Sequence, residues 1–368
     1  MKIKTIKKNN KKDKIENDIL SSIGEKRIID APIEFFPTGS TTLNLTFAGN
    51  PYYGWPRSRV INIVGDGSSG KSLSAIEACF QFHKNIYNIK SKIFPNVKKA
   101  KTIYNNREGV LDFPLKKMYG SKFVDLLEMR SSKHIENLGT DIHRTLQKQK
   151  EGEAILYIAD SWDAFPSIAE AKRFEKSVKE DTAIEGSFGG EKNKYSQSFF
   201  ESFCGLLENN SIDFTLFIIS QTRDKIGITF GKKKYRTGGA ALDFYTHLVV
   251  WLREIEKLTK KKFREERVYA IDSEAKVERS KVWKPFRKSS FRILYDHGID
   301  DIGGMWSYLK ERKVDSWNDF SLKDPQKFIQ YIEKKNLEDE LRQDIFKRWL
   351  KIERAFEKEV ECRKQKSL

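Results

Sequence analysis

At 368 residues, with 38% apolar and 12% aromatic positions, the chain is long enough for two or so domains and a sizeable core, which excludes a fibrous protein, a small disulfide scaffold and wholesale disorder. Lys and Arg number 69 against 52 Asp and Glu, a formal net charge of +17 that points to a polyanionic partner. Cys79, Cys204 and Cys362 form no CxxC pair and the five histidines are scattered, so neither a disulfide framework nor a zinc site is expected. No apolar run approaches the length of a membrane span, and Met1 to Lys8 does not lead into an apolar signal; no membrane partner is expected, and the expected location is the cytoplasm, or a host's cytoplasm if the gene belongs to a phage.

Residues 1 to 15 carry seven lysines and little apolar beyond Ile3 and Ile6. Ile15, Ile19, Leu20 and Ile23 then fall at helical spacing before Gly24, and a short extended piece through Ile33, Phe35 and Phe36 follows, so a helix and a strand are expected ahead of the main body. From Val60 short β-branched runs alternate with amphipathic helices: Val60 to Val64, a helix from Lys71 through Phe82, and Lys101 to Tyr104. Later runs at 154–159, 214–219 and 248–252 are nearly apolar throughout, which marks strands buried on both faces of a mostly parallel α/β sheet. After Phe291 to Tyr295 the β signal stops, and short helical patterns rich in Trp and Lys are expected over 299–368. The reading is an arm at 1–36, a core at 37–298 and a small carboxy-terminal domain at 299–368.

Gly65, Asp66, Gly67, Ser68, Ser69, Gly70, Lys71 and Ser72 fit the G-x-x-x-x-G-K-[ST] pattern between an expected buried strand and an expected helix. Amide groups of such a loop point at a β-phosphate, the helix amino terminus adds partial positive charge, Lys71 reaches the γ-phosphate and the Ser72 hydroxyl holds Mg²⁺; an ordinary glycine-rich turn is the plain alternative. The run Leu156 to Ala159 ends in Asp160, placed to hold the Mg²⁺ hydration shell, although a strand-end aspartate can equally cap its loop. Glu108, past the strand at 102–104, is a candidate to orient and polarise an attacking water.

The order of these signals resembles the RecA family of DNA recombinases. Pro37-Thr38-Gly39-Ser40 with Leu43 is similar to the family's entry segment, Gly65 to Ser72 to its phosphate loop, Glu108 to Asp112 to the stretch with its catalytic glutamate, and Asp160-Ser161 to its metal-side aspartate. Ile219 to Gly231, followed by Thr237-Gly238-Gly239-Ala240-Ala241-Leu242, resembles the strand-end glutamine, the second DNA loop and a glycine pair that approaches DNA. Lys281 to Arg287 and Phe291 to Ile299 look like the end of the core. The resemblance spans Pro37 to Ile299. It implies a RecA-like P-loop ATPase core flanked by helices, with an amino-terminal helix-strand arm, ATP and Mg²⁺ as cofactors, and Asp112 among the nucleotide-side residues. It further implies that Gln221 senses the γ-phosphate, that Arg279 and Lys281 reach the nucleotide of a neighbouring subunit, and that the side chain over the adenine falls at about Leu115. The acid two positions before the catalytic glutamate is Asn106 here, and residues 168–182 are extra.

The 222–240 loop holds Arg223, Lys225, Lys232, Lys233, Lys234 and Arg236 against one acid, with Ile226, Phe230 and Tyr235 interleaved. Basic groups neutralise phosphates while an apolar side chain wedges between bases, a composition suited to single-stranded DNA, although a solvated charged loop has the same letters. The resemblance further implies a first DNA loop that starts at Ile184 to Gly190, with Lys192 and Lys194 in place of the family's arginine. The expected function is ATP-dependent homologous recombination: self-association into a helical filament on single-stranded DNA, a search of homologous duplex DNA and strand exchange. A RecA-core ring motor or a regulatory DNA-binding ATPase is the alternative.

Overall fold

The computed structural model describes residues 33–87, 89, 91–109, 111, 113–183, 190–207, 212–224, 234–236 and 239–360. The lysine arm, the helix expected at 15–23, Asp112, the start of the first loop at 184–189, Lys225, Ile226, Phe230, Lys232, Lys233 and Gly238 lie outside the described residues.

One sheet organises the main body. Its strands are β1 (Val60–Gly65), β2 (Lys99–Asn106), β3 (Leu127–Arg130), β4 (Glu153–Asp160), β5 (Phe214–Asp224), β6 (Lys234–Arg236), β7 (Leu248–Lys262), β8 (Glu265–Ser280), β9 (Lys288–Leu294) and β10 (Gly298–Asp300). They lie in the order 10-9-8-7-1-5-4-2-3, with β6 paired to β5. All pairings from β7 through β3 are parallel, and β8, β9 and β10 extend one edge antiparallel. The apolar runs of β1, β4 and β5 are buried on both faces, as continuous Val, Ile and Leu character requires.

The helices are α1 (Thr41–Ala48), α2 (Lys71–Asn85), α3 (Ile135–Gln147), α4 (Ile168–Glu180), α5 (Gly190–Leu207), α6 (Gly239–Tyr245), α7 (Asp301–Glu311), α8 (Pro325–Lys335) and α9 (Glu338–Val360), with short turns at Leu115–Tyr119 and Ser121–Leu126. On one sheet face Leu73, Ile76, Cys79 and Phe82 of α2 pack with Ile61 and Ile63. On the other, Ile135, Leu138, Ile142 and Leu146 of α3 sit one helical turn apart and meet Phe199, Phe200 and Phe203 of α5. Each such side chain contributes about 1.5–3 kcal/mol by leaving water. A third cluster, with Leu341, Ile345 and Trp349, gathers α7, α8 and α9 around Leu45 of α1. Asp301 joins the parts by accepting from the Thr41 amide at 2.5 Å and hydroxyl at 2.8 Å.

Three expectations change. β7 runs to Lys262 instead of stopping near Leu252, because past that point it pairs only within an exposed hairpin, where no apolar run is needed. β structure does not end at Tyr295: Gly298–Asp300 adds a strand too short to show alternation. The carboxy-terminal helices are not all short, since α9 has 23 residues with a single apolar stripe through otherwise charged sequence. The extra segment at 168–182 is α4, opened by a capping box in which the Ser167 hydroxyl accepts from the Glu170 amide and the Glu170 carboxylate from the Ser167 amide. Among the described residues no helix is long and apolar enough to cross a membrane.

Candidate functional site

The loop from Gly65 to Ser72 leaves β1 at the carboxy-terminal edge of the sheet and enters α2 through Gly70, whose φ of 89° suits glycine. A Cβ on Gly65 would stand 2.5 Å from the Leu252 carbonyl oxygen, so β7 itself forbids a side chain there. Inside the loop the Ser69 hydroxyl donates to the Asp66 carbonyl at 2.8 Å, and Lys71 Nζ donates to the same oxygen at 2.5 Å. Burial pushes the Lys71 amine below its ordinary value, opposed by the charges of Asp160, Glu108, Asp66 and Asp163. At the tip of β4, two strands along the sheet from β1, Asp160 is buried, and its Oδ2 accepts from the Ser72 hydroxyl at 2.7 Å and from the Tyr104 hydroxyl. Burial raises this carboxyl above the usual range, the charge of Glu108 adds to the rise, and the two hydroxyls and Lys71 oppose it.

Glu108 follows β2 in a turn fixed by Asn106, whose Oδ1 accepts the Glu108 amide at 2.9 Å and whose amide group donates to the Gly109 carbonyl. Its carboxylate Oε1 accepts from the Ser161 hydroxyl and, at 2.6 Å, from the side-chain amide of Gln221. Gln221 itself pairs with Gly65 across β1 and β5, so register carries it to the phosphate-loop edge. Its backbone amide donates to Asp163 Oδ2 at 2.8 Å, and the next residue, Thr222, donates its hydroxyl to Asp66. The sequence therefore predicted Lys71, Ser72, Asp160, Glu108 and Gln221 separately, and the structure brings them together. Ser161 and Thr222, matched in the resemblance only as neighbours of Asp160 and Gln221, join the cluster through their hydroxyls; Tyr104 and Asp163 complete it without a sequence signal, because each is recognised only by its partner on another strand.

Beside this cluster a cleft of about 530 Å³ opens between Ser68 to Leu73 and a wall of Phe113, Pro114, Met118, Ile293 and Tyr295. Leu115, expected over the adenine, packs instead on the α2 side of the core; Phe113 and Tyr295 present aromatic rings to the cleft. The set as a whole fits a nucleotide with a hard divalent cation: a strand-to-helix amide loop, an amine, a hydroxyl in contact with a carboxylate, and an apolar cleft alongside.

The remaining predicted residues lie elsewhere. Arg279 and Lys281 sit at the far end of β8, where Arg279 opposes Val249 and Ser280 opposes Leu248, whereas the phosphate loop follows Gly65 at the level of Leu252. The gap is roughly 13 Å along β1 alone, since each residue rises about 3.3 Å. Lys281 Nζ donates to the Phe244 carbonyl at 2.6 Å. On the loop root Arg223 is exposed, and β6 pairs Tyr235 with it and Lys234 with Asp224. Gly239 opens α6. Arg236 departs from the expectation: its side chain is 6% exposed, ion-paired to Asp243 at 2.5 Å and bonded to Asn62, so it braces the root of the loop instead of facing outward. Lys192 likewise turns inward, donating to the Asp163 carbonyl at 2.9 Å, and burial lowers its pKa; Lys194 is exposed.

Comparison with known proteins finds that the family described as the RecA N-terminal domain matches residues 116–300. The protein RecA of Gloeothece citriformis (strain PCC 7424) is 28% identical over 323 residues, covering 82% of this chain and 78% of the relative. The protein RecA of Prochlorococcus marinus (strain MIT 9303) is 28% identical over 294 residues, 77% of this chain and 65% of the relative. That of Synechococcus sp. (strain CC9605) is 28% identical over 294 residues, covering 77% and 66%. The chain thus spans about two thirds of the length of these last two.

Proposed function

This chain belongs to the RecA family, and on that premise we propose that it is an ATP-dependent recombination protein that assembles on single-stranded DNA, searches homologous duplex DNA and exchanges strands. The observation that carries the reading is the position of Gln221. It touches Glu108 at 2.6 Å on the nucleotide side, and it stands one residue before the basic 222–240 loop. A side chain that responds to the γ-phosphate at that place moves the root of the segment that grips DNA.

In this reading the amides of Gly65 to Gly70 cradle the β-phosphate, Lys71 reaches the γ-phosphate, and Phe113 and Tyr295 border the base. Ser72 and Asp160 hold Mg²⁺, which when bound neutralises charge on the phosphate oxygens. Glu108, oriented by Ser161 and Gln221, accepts a proton from the attacking water and aligns it. Arg279 and Lys281, too distant for their own phosphate loop, act on the nucleotide of the next subunit, so hydrolysis requires assembly. Arg223, Lys194 and the lysines of the 225–234 stretch neutralise phosphates of a single strand, and Ile226 and Phe230 wedge between bases.

Electron microscopy with single-stranded DNA and a non-hydrolysable ATP analogue, together with an exchange assay between a labelled single strand and a homologous duplex, tests this. Helical filaments and nucleotide-dependent exchange are expected. Closed rings would favour a motor, and filaments without exchange would favour a regulatory ATPase; either result sinks the proposal.

A further inference from the structure

β7 loses its pairing with β1 after Leu252, and β8 pairs with β9 only from Ala270 onward. Between these points the two strands continue alone: Thr259 opposes Val268, Lys260 opposes Arg267, Lys261 opposes Glu266 and Lys262 opposes Glu265. Residues 259–268 are all exposed. The ribbon leaves the same sheet edge as the phosphate loop and Gln221, because β7 runs parallel to β1.

Two features of its tip do nothing for folding. Phe263, at the apex, is 97% exposed. Phe263 and Arg264 both hold left-handed backbone, at φ 52° and 69°, in a two-residue turn where Asn-Gly is the unstrained choice. A bulky ring held in a disfavoured conformation without burial is a cost the fold does not recover, which is the pattern of a surface kept for contact. Charge points the same way. Residues 257–269 carry Lys257, Lys260, Lys261, Lys262, Arg264 and Arg267 against only Glu265 and Glu266. Cross-strand register puts Lys260, Lys262 and Arg267 on one face of the ribbon, with Glu265 opposite Lys262, which leaves that face net positive, and among the described residues none of the three cations is ion-paired. Lys260 Nζ rests 4.2 Å from the Tyr269 ring centroid, which props it on that face.

We propose that this ribbon is a duplex-DNA contact: it enters the major groove tip first, with Lys260, Lys262 and Arg267 on the phosphate backbone and Phe263 against base edges. Two strands about 4.8 Å apart fit a groove about 12 Å wide. A convex tip with one ring offers no stacking platform for successive bases, which argues against a single strand as its ligand. The inference uses the reading above only in supposing that the protein meets duplex DNA.

The test compares the full chain with the triple variant Lys260→Ala/Lys262→Ala/Arg267→Ala, with Phe263→Ala, and with Lys260→Arg/Lys262→Arg. Fluorescence anisotropy on a labelled blunt-ended duplex and on a single strand of the same length is followed as a function of salt. The triple variant should bind duplex about tenfold or more weakly, and its slope of log affinity against log salt should fall by roughly 0.9 for each phosphate contact removed. The Arg variant should retain both, Phe263→Ala should weaken duplex binding with the slope kept, and single-strand binding should be unchanged throughout. Unchanged duplex affinity and slope in the triple variant overturns the proposal. So does equal loss on both ligands, or altered sedimentation without DNA at unchanged duplex affinity, which would make the ribbon a contact between copies. Failure of the recombination reading appears separately, as absence of exchange by the unmodified chain, and leaves this comparison intact.

Discussion

Glu108 and Lys71 lie in one cluster, yet their surroundings divide their work. Lys71 bonds within its own glycine-rich loop, which in the proposed reading encloses the phosphates, whereas Glu108 is held by Ser161 and Gln221, at the edge to which that reading assigns the attacking water. Lys71→Ala should therefore lose nucleotide affinity. Glu108→Gln keeps the shape and a hydrogen-bonding oxygen but removes the base, so it should bind nucleotide normally and turn over about 10²-fold or more slowly. Binding of a fluorescent nucleotide and single-strand-stimulated phosphate release check the pair; equal loss of binding in both would remove Glu108 from its role. Lys71, Ser72 and Glu108 were legible from letters and spacing. Tyr104, Asp163 and Tyr295 were not, because Tyr104 is defined by a hydrogen bond across strands, Asp163 by one linking the turn after β4 to β5, and Tyr295 by its place just past β9 on the cleft wall.

Among elements, legibility followed burial. β1, β4 and β5 could be read because their apolar runs face helices on both sides, and α2 because its core-packed apolar residues Leu73, Ile76, Cys79 and Phe82 fall about one turn apart. The ribbon of β7 and β8 is held by backbone pairing in water, so composition gave it no mark. The junction between β1 and β7 was equally silent and carries a measurable consequence. His247 enters it with Nδ1 accepting from the Val60 amide at 3.2 Å, its own amide donating to the Val60 carbonyl at 2.8 Å, and its carbonyl accepting the Lys281 amide at 2.8 Å. Burial, with the charges of Arg59 and Lys281, lowers its pKa from 6.5 to about 3. The imidazole is then neutral in the fold and protonated in the unfolded chain once pH falls below 6.5. Its stability contribution is complete above that pH and is lost, at up to about 1.4 kcal/mol per unit, as pH drops toward about 3. Urea unfolding at pH 7 and pH 5 should show this loss, and His247→Asn should flatten it; an equal pH response in the variant would assign the acid sensitivity to other groups.

At the scale of the whole molecule, the two ends of the parallel strands carry different chemistry. The carboxy-terminal edge holds the phosphate loop, Glu108, Gln221 and the root of the 222–240 loop; the opposite edge holds Arg279 and Lys281. If these cations act on a neighbour, Arg279→Ala/Lys281→Ala should bind nucleotide as the parent does, form short filaments and lose most single-strand-stimulated hydrolysis. Full hydrolysis by a dilute preparation that sediments as a monomer would contradict it.

The sequence by itself determined the parallel α/β core, the glycine-rich loop at 65–72 between strand and helix, the separate acids and the basic composition of 222–240, because strand burial, helix periodicity, glycine-dependent turns and charge are local properties that neighbouring letters express. Only the tertiary structure decided that Gln221 touches Glu108, that Asp160 receives both Ser72 and Tyr104, that Arg236 and Lys192 turn inward, and that a bare basic ribbon rises beside the cleft. Those outcomes depend on which strand lies next to which and in what register. Packing free energy summed over residues far apart in the chain sets that register, and no local stretch of sequence contains it.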